Sequence, residues 1–150
     1  MKKDNASKIK IWGNKNKVTV SRVVTTLVLL GLMGICGLVF ANPEGGQIAA
    51  GTASISAPDA KTVQVNQTSD KAIINWNSFS IASGETTHFN QPSASSIALN
   101  RVTGNDPSKI FGTLSANGQI MLVNQNGIWF GPGSVVNVGG LIATTAHISN

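Results

Sequence analysis

Between residues 42 and 150 the apolar residues fall into nine short runs, at 62–65, 73–81, 86–89, 97–102, 110–114, 120–123, 128–130, 135–138 and 141–143. Turn signals separate them: Pro58-Asp59, Ser83-Gly84, Gln91-Pro92, Gly104-Asn105-Asp106-Pro107, Asn117-Gly118, Asn126-Gly127, Gly131-Pro132-Gly133 and Gly139-Gly140. Runs this short cannot carry a long amphipathic helix, but they suit strands broken by turns. The same segment holds 12 Gly, 12 Asn and 13 Ser. These residues weaken helix interiors, because they favour turns or compete for backbone hydrogen bonds. The expected class is all-β.

Alternation refines that reading. Ile74 and Trp76 share one face, as do Phe79 and Ile81, so the phase slips near Asn77-Ser78, as at a bulge or a corner. Ile97 and Leu99 share a face and Val102 falls out of phase with them. Ile120 with Leu122, and Met121 with Val123, make a strand apolar on both sides. Two architectures fit. Asn117-Gly118 and Asn126-Gly127 are two-residue hairpin signals, which put an antiparallel sandwich slightly ahead on local pattern. A parallel β-helix uses Asn and Gly at its corners equally well, and phase slips belong there too.

The charge of the chain is unevenly placed. Residues 1–41 carry Lys2, Lys3, Lys8, Lys10, Lys15, Lys17 and Arg22 against the single acid Asp4. Residues 42–150 carry Lys61, Lys71, Arg101 and Lys109 against Glu44, Asp59, Asp70, Glu85 and Asp106. The basic excess therefore belongs to the N-terminal leader, and no phosphate-tracking surface for nucleic acid remains on the body. After the basic stretch, residues 23–40 form an uncharged run ending Val39-Phe40-Ala41, followed by Asn42-Pro43-Glu44-Gly45-Gly46. This is the order of a secretory signal peptide, with the predicted cut between Ala41 and Asn42. The expected organisation is a signal peptide at 1–41 and one domain at 42–150. Cys36, the sole cysteine, lies in the apolar run, so nothing covalent staples the mature segment.

Catalytic chemistry finds no foothold in the pattern. His88 and His147 stand alone, with no second ligand at metal spacing. Glu85 and Asp106 are far apart and unpaired for acid–base work. The glycines around 127–133 lack the lysine of a phosphate loop, and no serine lies in a GxSxG elbow. No catalytic, cofactor or metal residue is expected, and a β-helical lyase or hydrolase is disfavoured.

Three stretches carry a family resemblance: INWNSFSI at 74–81, HFNQPSASSIALNRVTG at 88–104 and KIFGTLSANGQIMLVNQNGIWFGPGSVVNVGGLIATT at 109–145. In order and spacing they resemble the N-terminal secretion domain of two-partner-secretion exoproteins, the filamentous-haemagglutinin-like adhesins and their haemolysin and contact-dependent toxin relatives. The resemblance implies a right-handed parallel β-helix with extra-helical β elements and a capped N-terminal end, reversing the local preference for a sandwich. It implies a secretion-targeting module recognised by an outer-membrane β-barrel transporter with periplasmic domains. The product would be secreted or held at the cell surface of a Gram-negative bacterium, by way of the periplasm. The family's Asn-Pro-Asn-Gly turn and following aliphatic residue map to Asn124, Gln125, Asn126, Gly127 and Ile128, the expected transporter-recognition residues. Gln125 replaces the usual proline, which leaves the turn less rigid, and Asn126-Gly127 keep a left-handed backbone option. Met121, Val123 and Trp129, out of phase with their neighbours, form a candidate partner patch. The chain stops at Asn150 without a repetitive passenger, so a truncated product or fragment is expected. Contact with host-cell or bacterial surfaces would then fall to a missing C-terminal region. The rival reading is a stand-alone secreted all-β adhesin or carbohydrate-binding protein.

Overall fold

The computed structural model describes residues 41–147, and every helix or strand element among them is a strand. The basic stretch and apolar run predicted as a signal peptide lie outside the described residues. In chain order the strands are β1 (Gln47–Ala50), β2 (Ala53–Asp59), β3 (Thr62–Gln67), β4 (Lys71–Trp76), β5 (Thr86–Asn90) and β6 (Ile97–Val102). They continue with β7 (Ser108–Ile110), β8 (Thr113–Ala116), β9 (Gln119–Val123), β10 (Ile128–Phe130), β11 (Val135–Asn137) and β12 (Gly140–Thr144).

Pairing along one wall runs β4–β6–β9–β12, all parallel, and along a second β3–β5–β8–β11, all parallel. On a third wall β7 pairs in parallel with β10, and Ile81 opens that wall through a bridge to Ile110. The chain thus winds as a β-solenoid of four coils: β3–β4, β5–β6, β7–β9 and β10–β12. The parallel β-helix is observed and the sandwich is not. The steps from Ala72 to Ala98 to Ile120 to Leu141, which stack in register, are unequal, so no fixed sequence period announces the coils.

The ends differ. At the first coil β1 pairs antiparallel with β4 and β2 pairs antiparallel with β3, so two non-solenoid strands close both walls. This is the capped end that the resemblance implied. At the other end, among the described residues, β11 and β12 are the outermost strands of their sheets.

The interior is a narrow aliphatic and aromatic column. Val65, Phe89, Ile74, Trp76, Phe79, Ile81, Leu114, Ile120 and Leu122 are buried in it. The phase slip at Asn77-Ser78 is a corner: β4 ends at Trp76, and Trp76 and Phe79 both turn inward and meet edge to face at 5.6 Å. Two readings of β6 and the corners change. Val102 is out of phase with Ile97 and Leu99, but it is Val102, with Ala98 and Asn100, that alternates inward, while Ile97 and Leu99 face outward and are half-buried. Nor are Asn117-Gly118 and Asn126-Gly127 hairpins. β8 and β9, joined through Asn117-Gly118, each pair with strands of other coils. Asn117 stands there for its side chain, not for its backbone freedom. Its Nδ2 donates to Gln91 O at 2.7 Å and its Oδ1 accepts from Gln91 N at 2.7 Å, clamping one coil's corner to the next.

Candidate functional site

The corner at 124–128 links the end of β9 to β10. Asn124 is buried and organises it. Its Nδ2 donates to Asp106 O at 3.0 Å and to Ser108 Oγ at 2.9 Å, so the corner is tied to the preceding 104–108 loop. Its Oδ1 accepts from Asn126 N at 2.9 Å, an Asx turn. Gly127 N donates to Asn124 O at 3.1 Å, closing a four-residue β-turn. Asn126 Nδ2 donates to Gly104 O at 2.8 Å, and Ser108 N donates to Gly127 O at 2.9 Å.

The turn has Asn first and Gly last, the preference of a type I turn. No described non-glycine residue has positive φ, so Asn126 does not use the left-handed option expected for it; only Gly127, at φ 112°, does. The reason is the Asx turn, which holds Asn126 through its own N–H. Gln125 and Asn126 are exposed, Gly127 and Ile128 half-buried, and Ile128 packs against the core. The five predicted residues therefore form one unit, with a buried anchor, an exposed tip and an apolar foot. Gln125 N makes no hydrogen bond among the described residues, so the position asks nothing of its donor.

The other predicted trio is not brought together. Met121 and Val123 lie on β9 and Trp129 on β10, in different sheets. Val123 is buried and offers no surface, contrary to the expectation of a patch. Met121 is half-buried, stacked between Leu99 and Ile142. Trp129 is 58% exposed and leans edge to face on Phe111 at 5.7 Å.

Sequence reading missed a second set of surface residues. Val135, Val136, Leu141 and Ile142 are exposed, all on the last coil. Val136 and Leu141 continue the inward rows of Leu114 and Ile120 and lack a covering rung among the described residues, while Val135 and Ile142 continue the outward rows of Thr113 and Met121. It also missed Glu85 and Asn100. Glu85 is buried and accepts backbone N–H groups. Asn100 is buried with its Oδ1 accepting from Trp76 Nε1 at 2.9 Å.

Ionisable chemistry is sparse. His88 Nδ1 and Ser115 Oγ are hydrogen bonded at 2.8 Å along the stack of β5 on β8. Among the described residues no three His, Cys, Asp or Glu side chains gather where a metal could sit. Asp59, at the β2–β3 turn, is held below the usual carboxylate range by the backbone N–H of Lys61 at 2.7 Å.

Residues 41–150 match the family model described as TPS secretion domain. Two heme/hemopexin-binding proteins of Haemophilus influenzae, one of them from strain Rd, are each 41% identical over 106 residues. Those alignments cover 71% of this chain but only 12% and 11% of the relatives, so the chain spans about an eighth of their length. The crystal structure of the HMW1 secretion domain from Haemophilus influenzae superposes with a TM-score of 0.69 at 38% identity. That superposition covers 73% of this chain and 29% of the other.

Proposed function

The chain belongs to the TPS secretion domain family, and from that premise we propose that it targets a longer exoprotein for export by binding a cognate outer-membrane transporter. TPS exoproteins are secreted through the outer membrane of Gram-negative bacteria, and TPS domains as a class engage such a transporter. They are not a known enzyme class.

The observation that carries the reading is the polarity of the solenoid. One end is closed by β1 and β2, while at the other, among the described residues, β11 and β12 leave hydrogen-bonding edges and expose Val136 and Leu141, which stack on the buried Leu114 and Ile120. A stack closed at one end grows in one direction only, each new coil burying the face of the last. In the proposed mechanism the chain crosses the inner membrane behind its leader and stays unfolded in the periplasm. There its extended segments add to strands of the transporter's periplasmic domains. Residues 42–150 hold no cysteine, so no disulfide fixes a fold too wide to thread a barrel. Outside, coil-on-coil burial of aliphatic faces favours outward movement without nucleotide. The corner at 124–128 is the proposed recognition element, with Gln125 and Asn126 presented and Asn124 setting their geometry.

The test is export of the full chain in cells with and without the cognate barrel, measured in medium and periplasm. The proposal expects barrel-dependent appearance in the medium, and loss of most of it in the Asn124→Ala/Asn126→Ala variant. Unchanged secretion of that variant removes the corner from the recognition surface, and barrel-independent secretion removes the targeting role.

For the longer protein we favour heme or hemopexin capture over a filamentous-haemagglutinin-like adhesin role, because the two similar relatives are named as heme/hemopexin-binding proteins. Host-surface contacts, on either reading, fall outside this domain. Binding of hemin–hemopexin by the full-length gene product, set against adhesion to host cells, separates the two.

A further inference from the structure

Glu85 lies just before β5 and is only 3% exposed, yet it has no cationic partner among the described residues. Its carboxylate accepts Ala82 N–H at 2.9 Å on Oε2, and both oxygens face the nitrogen of Ala41, at 3.1 and 3.2 Å. An amide nitrogen carries one hydrogen and cannot serve two oxygens well; an ammonium carries three. The segment after Ala41 is pinned beside it. Pro43 is buried, Glu44 N donates to Ser78 O at 3.0 Å, and Asn77 N donates to Glu44 O at 3.0 Å. Asn42 adds a buried Oδ1 that finds no partner.

Ala41 and Asn42 flank the predicted signal-peptide cut. Hydrolysis there breaks the Ala41–Asn42 amide with one water. Ala41 leaves as a carboxylate, and the Asn42 nitrogen takes the proton and becomes an α-ammonium. The cut would remove two of the three contacts that hold the Glu85 carboxylate, leaving it with one donor, Ala82 N–H. The same cut creates a positive charge within one residue, about 3.8 Å of chain, of the vacated position. We propose that Glu85 is the seat of the α-ammonium of processed Asn42, so that removal of the leader completes the capped end of the solenoid. The inference rests on the export reading only for the cleavage step, not for transporter recognition.

The test uses the full chain exported behind its own leader in a Gram-negative host. Intact mass gives the first residue of the product, expected to be Asn42. An α-amine-selective reagent at about pH 7 then reports how available the new terminus is. A seated ammonium holds its proton, so labelling should be at least about tenfold slower than in Glu85→Gln, a difference of one pKa unit. If Glu85→Gln does not fold, native against urea-unfolded wild-type protein gives the same comparison, again with at least about a tenfold ratio expected. A product that starts at any other residue overturns the cleavage site and the seat together. A product starting at Asn42 whose amine reacts equally fast in these comparisons overturns the seat alone, and leaves the targeting function untouched.

Discussion

The first and last coils are built from the same kind of strand and end in opposite states. β3 alternates inward with Val63 and Val65, the latter fully buried, because β2 and β5 flank it. β11 places Val136 on Leu114, in the same inward row as Val63, yet Val136 is 39% exposed, because only β8 flanks it. In a solenoid, then, burial is not a property of a strand's own pattern. It is set by whether a rung lies on both sides.

Several substitutions would sharpen or break that contrast. The largest effect should come from truncation inside a flanked rung. Phe89→Ala should lower stability by about 3–5 kcal/mol, whereas Val136→Ala, on the inward row of the last rung, should lower it by no more than about 1 kcal/mol. Urea unfolding of the purified chain measures both, and similar losses would mean that the last coil is covered in solution. Next comes the buried amide between coils. Asn100 accepts from Trp76 Nε1 in the coil before and donates to Met121 O, at 3.4 Å, in the coil after. Asn100→Ala leaves the indole N–H unpaired and should lower stability by about 1–3 kcal/mol. Asn137→Ala, exposed on β11, should be near neutral. Thr87 has the opposite sign. Its buried hydroxyl, stacked between Val63 and Leu114, makes no hydrogen bond. Thr87→Val keeps the branched shape and should raise the urea midpoint, by about 1 kcal/mol in stability. The smallest shift belongs to the exposed corner. Gln125→Pro should stabilise by about 0.4–1 kcal/mol, since the position follows the buried Asn124 in a turn and its N–H is unused. A destabilised Gln125→Pro would show that the corner needs a backbone other than the type I turn.

Much of this fold could be read before any coordinates. The apolar runs at 62–65, 86–89, 97–102 and 120–123 all became strands, the run at 110–114 was split by a corner between β7 and β8, and the slip at Asn77-Ser78 became a corner. What local pattern missed was partnership. Alternation tells which residues share a face, not which face is inside; the narrow interior of β6 took small Ala98 and hydrogen-bonded Asn100 and left Ile97 and Leu99 outward. Asn117-Gly118 is a hairpin signal only if the next strand returns beside the last, and here the partner is a whole coil away. The Asn124–Ile128 corner was legible through the family resemblance. Glu85 was not, because its importance comes from Ala41, some forty positions earlier.

Amide hydrogen exchange on the purified chain, resolved by strand, tests the coil-by-coil account most directly. Amides of β4, β6 and β9, with a rung on each side, should exchange only on near-global unfolding. Those of β11 and β12 should exchange at least about 100-fold faster, equivalent to about 2.7 kcal/mol of local stability. Equal protection of β6 and β12, or fastest exchange in the capping strands β1 and β2, would contradict a solenoid closed at its first coil and, among the described residues, uncovered at β11 and β12.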